Sequence, residues 1–186
     1  MSTPYFLTLF FVLLLSCNTF SSSSSSEKEN TFDFNKKEKL SHFRFYWHDL
    51  RSGKNPTSIE IVAPPMKLNS TTGFGFVDMI DNPLTSEPQL SSKLVGKSQG
   101  FYASASQVEV DVLMAMNFVF VEGKYNGSSI TIFGRNPVMN KIREMAVVGG
   151  SGVFRFARGY AQASSYSYDP KSGVAVVEYN VYVFHY

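Results

Sequence analysis

The sequence has few of the residues on which disulfide-bonded, metal-binding or thiol-dependent proteins rely. Its 186 residues include one cysteine, three histidines and one tryptophan. Cys17 lies in an N-terminal apolar run that we expect to be removed. The mature chain then has no disulfide, no cysteine nucleophile and no thiolate metal site. The histidines, at positions 42, 48 and 185, lack metal-ligand spacing, so we expect no metal site.

Strong charge and long apolar runs are also scarce. The formal net charge is +2, with no basic run, so we expect no nucleic-acid partner. The apolar run 5–17 has the length of a signal-peptide core and is short for a bilayer span, so we expect no membrane association. We predict a signal peptide and serine-rich stretch over 1–26, with cleavage inside it, a flexible segment over 27–39, and one domain over 40–186. The mature protein is therefore expected outside the cell.

Two glycosylation sequons are consistent with an extracellular location. Asn69 begins the triplet NST and Asn126 begins NGS, and both lie among turn residues. A glycan at either position would be exposed, so we predict both asparagines as glycosylation sites.

Aromatic residues and period-2 alternation are abundant. The chain has 17 phenylalanines and 10 tyrosines, and its composition favours β structure. Alternation of apolar and polar residues predicts eight strands, over 42–49, 58–63, 73–80, 95–106, 112–121, 128–134, 153–168 and 174–186, with a loop over 81–92. Short antiparallel strands at this spacing predict a sandwich or a barrel. A closed eight-stranded barrel has room for one small ligand.

The glycine-rich segment VVGGSG at 147–152 precedes the seventh predicted strand. Because alternate side chains point to opposite faces of a strand, Arg155 and Arg158 are expected on opposite faces. One of them would then face the interior, where a charge needs a partner or a ligand.

Asp49 is the first candidate for chemistry. It continues the face that carries Phe43, Phe45 and Trp47, so its carboxyl is expected at the interior or mouth of the sheet structure. Desolvation there raises a carboxyl pKa and makes the group a possible acid or base. The alternative is that the strand has already ended and Asp49 caps the turn at 51–55.

Three further positions have a functional and a structural interpretation. Tyr102 and Ser104 share one face of their strand, and a buried tyrosine hydroxyl needs a partner or can contact a phenolic ligand. Arg143 lies at the end of the irregular stretch 135–144, where Glu144 offers it a surface ion pair.

Many ordered sequence blocks resemble the plant dirigent family. They include FYWHD at 45–49, DNPLT at 81–85, VGKSQGFY at 95–102, MNFVF at 116–120, VVGGSG at 147–152, FARGYA at 156–161 and VEYN at 177–180. The resemblance covers about residues 40–186. It implies an all-β fold, an eight-stranded antiparallel β-barrel with a hydrophobic central cavity, in a protein secreted to the apoplast. It also implies a homo-oligomer, a trimer or a dimer.

The resemblance implies a function on phenolic molecules without a metal or redox cofactor. Dirigent proteins give stereoselectivity to the coupling of coniferyl alcohol radicals into lignans, while a separate oxidase, a laccase or peroxidase, makes the radicals. No intrinsic oxidase activity is expected. Other branches include pterocarpan synthases, which dehydrate and cyclise a 2′-hydroxyisoflavanol, a lyase reaction. A secreted phenolic-binding protein of defence or of the cell wall is the non-catalytic alternative.

The resemblance also assigns roles to residues. Asp49 matches a cavity aspartate, Arg143 matches the arginine before the VVGG block, and Tyr102 matches the first tyrosine of a GFY motif. The expected catalytic residues are thus Asp49 and Arg143, and Phe45 and Trp47 supply aromatic walls for the substrate.

Two cavity positions depart from the lignan-forming pattern. Asn136 stands where those members carry a second cavity aspartate, and Ser104 stands where they carry a second tyrosine. Both remain candidates for substrate binding. An asparagine can orient a hydroxyl but cannot transfer a proton, so the departures favour the branch that includes pterocarpan synthases.

Overall fold

The alternation in the sequence produces nine antiparallel strands. The computed structural model describes residues 35–68 and 70–186. The strands are β1 (Lys39–Asp49), β2 (Ser58–Val62), β3 (Val77–Thr85), β4 (Leu94–Ser104), β5 (Asp111–Phe120), β6 (Ser129–Pro137), β7 (Arg143–Ser151), β8 (Arg158–Asp169) and β9 (Val174–His185). Three 3₁₀ turns, Met66–Leu68, Gly123–Tyr125 and Gly152–Phe154, are the helical segments of the described residues. None of the helical segments in these ranges is long and apolar enough to cross a membrane.

Eight of the strands close into a barrel. The sheet order is β1-β9-β8-β7-β6-β5-β4-β3-β2, and β1 also pairs with β3. That closing contact consists of Tyr46 opposite Thr85 and Trp47 opposite Leu84. β2 pairs only with the beginning of β3, so it lies outside the closed barrel. The prediction of an eight-stranded antiparallel barrel is confirmed.

Aromatic side chains pack across the middle of the barrel. The ring of Phe45 lies 4.9 Å from that of Phe118 and 6.2 Å from that of Tyr179, centroid to centroid. All three side chains are almost completely buried. Full burial of a large apolar side chain stabilises the fold by about 1.5–3 kcal/mol, so these rings hold opposite walls together without a disulfide.

The seventh predicted strand begins later than expected. β7 continues through the glycines to Ser151, a 3₁₀ turn follows, and β8 starts at Arg158. Phe154 is fully buried against Phe120, which draws the turn towards the core. Arg155 and Arg158 are both exposed, so the prediction that one of them faces the interior is wrong.

The segment 81–85, predicted as a loop, is the second half of β3. Proline ends many strands because it has no N–H to donate, and position 83 is a proline. Here it lies opposite Lys97 of β4. On the other edge of β3, pairing with β2 ends at Ile80 and pairing with β1 starts at Leu84. The proline therefore occupies the gap between two partners and interrupts neither.

The predicted signal peptide, most of the predicted flexible segment and the sequon asparagine at position 69 lie outside the described residues. Asn126 follows the turn Gly123–Tyr125 and is exposed. Its glycosylation stays a prediction.

Candidate functional site

Asp49 ends β1 with its side chain turned into one end of the barrel. It still pairs with Ala175 of β9 and is 7% exposed, so the interpretation as a turn cap is wrong. Asn82 Nδ2 donates to its Oδ1 at 3.2 Å, and the Tyr102 hydroxyl lies 2.9 Å from its Oδ2. Burial raises the pKa of Asp49, although its hydrogen bonds with Tyr102, Ser58 and Asn82 and the charge of Arg51 oppose that shift.

The hydroxyl of Tyr102 is shared among three neighbours. It lies 2.9 Å from Asp49 Oδ2, 2.8 Å from Asp78 Oδ2 and 3.2 Å from the Ser58 hydroxyl. Burial and, next, the charge of Asp49 raise the pKa of Tyr102, so the phenol stays protonated at neutral pH. A phenol has one proton to donate, and that limits which neighbour can accept it.

Trp47 forms an aromatic wall beside these groups. Its ring lies 6.5 Å from that of Tyr102 and 6.4 Å from that of Tyr179, in both cases edge to face. Its Nε1 atom is buried and has no hydrogen-bond partner. Phe45 lies one step further into the packed middle of the barrel, so Trp47 is the wall residue nearer to Asp49.

Arg143 begins β7 and points inward. It is 4% exposed, and its Nη1 donates to Val138 O at 2.9 Å and to Ser165 Oγ at 2.8 Å. Its Nε atom is buried without a partner. Glu144 is exposed and accepts from Gln162 at 3.5 Å, so the surface ion pair offered by the sequence does not form. Burial lowers the pKa of Arg143, which indicates an incompletely solvated cation.

Asn136 and Ser104 lie in one row across the sheet, each opposite Val112 of β5. Ser104 donates its hydroxyl to Thr72 O at 3.1 Å, which fastens the loop before β3. Asn136 is buried, and its Oδ1 atom has no partner. Asn136 can therefore accept a hydrogen bond from a ligand, whereas the Ser104 proton is already used.

The phenol of Tyr179 is influenced by the charges of both Asp49 and Arg143. Burial raises its pKa, while the charge of Arg143 lowers it and that of Asp49 raises it. The phenol thus lies within electrostatic reach of both expected catalytic residues. A buried acid and a buried cation that both act on one phenol can also act together on one bound planar molecule.

Sequence reasoning missed several polar residues of the site: Asp78, Asn82, Ser58 and Arg51. The inward face of β3 reads Asp78, Ile80, Asn82 and Leu84, all almost completely buried. Pro83 conceals that alternation because proline usually marks the end of a strand. Arg51 and Ser58 carried no signal, because their contacts with Asp78 and Tyr102 join parts of the chain that local alternation does not relate.

Two pockets open on the described surface near this end. One, of about 450 Å³, is lined by Arg51, Ser58, Ile59, Glu60, Lys171, Ser172 and Gly173. The other, of about 430 Å³, is lined by Ala105, Ser106, Val108, Glu109, Asp111, Leu113 and Arg135. The first is an open surface groove that borders the Ser58 hydroxyl, which contacts Tyr102. Within residues 35–68 and 70–186, no three acidic, histidine or cysteine side chains converge as a metal site would require.

The chain is similar to known proteins along nearly all of its barrel. Residues 40–184 match the family model described as dirigent-like protein. The chain belongs to the dirigent family. It is 56% identical to dirigent protein 7 of Arabidopsis thaliana over 151 residues, which cover 81% of this chain and 80% of the relative. It is 44% identical to pterocarpan synthase 1 of Glycyrrhiza echinata over 186 residues, which cover 100% of this chain and 98% of the synthase.

A solved dirigent structure has the same fold. The pterocarpan synthase dirigent protein GePTS1 superposes with a TM-score of 0.76 at 49% identity, covering 81% of this chain and 92% of that one. The family assignment made from the sequence blocks is thus confirmed.

Proposed function

We propose that this dirigent protein dehydrates and cyclises a phenolic substrate of the 2′-hydroxyisoflavanol type through a quinone methide. The observation that carries the proposal is the placement of Asp49, a buried carboxyl with a raised pKa beside an aromatic wall. Loss of a hydroxyl group needs an acid that still holds its proton near neutral pH. The similarity to pterocarpan synthases, in sequence and in structure, supports this branch.

The first step expels water. Asp49 gives its proton to the leaving hydroxyl, and the carbon–oxygen bond breaks as the phenol ring forms a quinone methide. The phenolic proton passes to solvent. The buried guanidinium of Arg143 stabilises negative charge that develops on the phenolic oxygen.

The second step closes the new ring. The 2′-hydroxyl oxygen bonds to the methide carbon and its proton goes to the Asp49 carboxylate. The methide oxygen takes a proton from solvent and becomes a phenol again. The substrate has lost one water, and Asp49 has regained the proton that it gave.

Stereoselective coupling of phenoxy radicals is the second candidate. The rings of Trp47, Tyr102 and Tyr179 meet edge to face and can hold two phenolic rings in one relative orientation. Since about 1.4 kcal/mol changes a product ratio tenfold, small differences in contact suffice. A separate laccase or peroxidase would supply the radicals. Binding of phenolics without catalysis remains the third interpretation.

Two product assays separate these functions. Purified protein is incubated with a 2′-hydroxyisoflavanol, and pterocarpan is measured by chiral chromatography. In parallel, coniferyl alcohol is oxidised by a one-electron oxidant with and without the protein. We expect pterocarpan from the wild type and a loss of at least about 100-fold in Asp49→Asn, because general acids contribute about 10²–10⁴-fold.

The matched control is Asp81→Asn, since Asp81 lies on the same strand as Asp78 but pairs with exposed Lys97 on the outer surface. It should keep full turnover. An optically active lignan from coniferyl alcohol, with no pterocarpan, would replace the proposal by radical coupling. Saturable binding of the isoflavanol with no product in either assay would leave only a binding protein.

A further inference from the structure

Asp78 is a second buried carboxyl in this site. It lies on the inward face of β3 and is 0% exposed. Its Oδ2 atom lies 2.8 Å from the Tyr102 hydroxyl and 2.8 Å from Arg51 Nε, while its Oδ1 atom has no partner. No motif singled out Asp78, and the proposed reaction steps do not use it.

The two carboxyl groups compete for one phenolic proton. Asp49 Oδ2 and Asp78 Oδ2 lie 2.9 Å and 2.8 Å from the Tyr102 hydroxyl. If both were ionised, one carboxylate would face the phenolic oxygen with no proton between them. One of the two must therefore hold its own proton, as in other pairs of buried carboxyls that share a site. Arg51 pairs with Asp78, so the negative charge belongs on Asp78 and the proton on Asp49.

We propose that Asp78, paired with Arg51, is a positioning residue that keeps Asp49 protonated through the hydroxyl of Tyr102. In this arrangement Asp49 donates to Tyr102 and Tyr102 donates to Asp78. The inference rests on the proposed function only in taking Asp49 as the acid. The second carboxyl of this site thus lies on β3, although the position expected for it holds Asn136.

The groups around this pair come from five segments of the chain. Asp49 lies at the end of β1 and Arg51 follows it, Ser58 and Glu60 lie on β2, Asp78 and Asn82 lie on β3, Tyr102 lies on β4, and the neutral phenol of Tyr179 lies on β9. Glu60 Oε2 lies 3.9 Å from Arg51 Nη2, so Glu60 interacts only weakly with the charge of Arg51. Asn82 and Ser58 are neutral. Asp78 and Arg51 are thus the charged groups that contact the shared hydrogen-bond chain.

The test measures the protonation of Asp49 directly. Infrared difference spectra over a pH series record the protonated carboxyl stretch, and the same series on Asp49→Asn assigns the Asp49 signal. In Asp78→Asn the new amide can donate to the Tyr102 oxygen, so the phenol is free to donate to Asp49. We expect the midpoint of the Asp49 titration to fall by at least about one pH unit, a tenfold change in proton affinity. Asp81→Asn should titrate like the wild type.

In Arg51→Gln we expect the midpoint of the Asp49 titration to shift in the opposite direction. This variant also tests the proposal if Asp78→Asn does not fold. Arg51 is 37% exposed, so its replacement disturbs little packing. Without the guanidinium, the two carboxyls hold their shared proton more tightly, and the midpoint should rise. An unmoved midpoint in Asp78→Asn, or an unmoved or lower one in Arg51→Gln, overturns the proposal.

Turnover separates this inference from the proposed function. If the isoflavanol is converted, the activity that depends on protonated Asp49 should fall off at lower pH in Asp78→Asn than in the wild type. Shifted midpoints without turnover of the isoflavanol support proton sharing and refute the reaction. Turnover with unmoved midpoints supports the reaction and refutes proton sharing.

Discussion

The guanidinium of Arg143 is anchored to Ser165 by a hydrogen bond of 2.8 Å from Nη1 to Oγ, which joins β7 to β8. The same nitrogen donates to Val138 O, while Nε is left without a partner inside the protein. The guanidinium is therefore fixed through Nη1, while its Nε atom has no hydrogen-bond partner. An arrangement of this kind offers charge to a ligand oxygen without a change of side-chain position.

Arg143→Met should separate activity from stability. Removal of the cation takes away the group that stabilises phenoxide charge, so turnover should fall about 100- to 1,000-fold. Replacing a buried charge by an apolar side chain of similar length is often neutral or stabilising, so the melting temperature should be unchanged or higher. Arg158→Met is the control, because Arg158 is exposed and pairs with Glu38. Equal turnover in both variants would remove Arg143 from the reaction.

Asp49→Asn should gain stability over the wild type as pH rises. The pKa of Asp49 is raised in the folded protein, so between the ordinary value of 3.8 and that higher value the folded state holds a proton that the unfolded state releases. The free energy of unfolding of the wild type therefore falls with pH in this window, by about 1.4 kcal/mol for each pH unit between the two values. Asparagine does not titrate. Urea unfolding of both proteins between about pH 3 and pH 8 measures the difference, and a gap independent of pH would contradict the raised pKa.

Gly159→Ala should destabilise the barrel strongly. Gly159 has φ +155°, and a Cβ atom built there would lie 2.0 Å from Tyr182 O on the neighbouring strand. Strain and displacement of β9 should lower the free energy of unfolding by about 2–4 kcal/mol, seen as a lower denaturant midpoint. Gly149→Ala is the matched control, since a Cβ there meets nothing within 4 Å, and its midpoint should barely move. Similar losses in the two variants would mean that the close approach at Gly159 does not limit stability.

A row of apolar side chains on the outside of the barrel is the expected contact between protein copies. Met79, Phe101, Ala115 and Phe133 lie opposite one another on β3, β4, β5 and β6, and the three large ones are 37–47% exposed. Exposed apolar patches of this kind mark association surfaces. We predict that the wild type sediments as an oligomer, a trimer or a dimer, and that Phe133→Asp sediments as a monomer. Leu40→Asp, at an exposed position on β1, should leave the mass unchanged, and a monomeric wild type would refute the prediction.

Local alternation was enough to predict most of the barrel and part of the site. The face shared by Trp47 and Asp49, and the inward position of Tyr102, follow from period 2 within single strands. The roles of Asp78 and Arg51 could not be found in that way, because they depend on which strands lie side by side. The error at Arg155 and Arg158 has a similar origin, since burial of Phe154 against distant rings decides where β8 begins.

β2 lies outside the closed barrel, yet one of its residues contacts the buried site around Asp49. Its five residues pair only with the first half of β3, and four of them are exposed, whereas each strand of the closed barrel pairs on both edges. Ser58, the buried residue of β2, supplies one of the contacts to Tyr102. An exposed outer strand thus contributes a buried hydroxyl to the hydrogen-bond chain that joins Tyr102 and Asp49. The surroundings of Asp49 therefore depend in part on a strand that takes no part in closing the barrel.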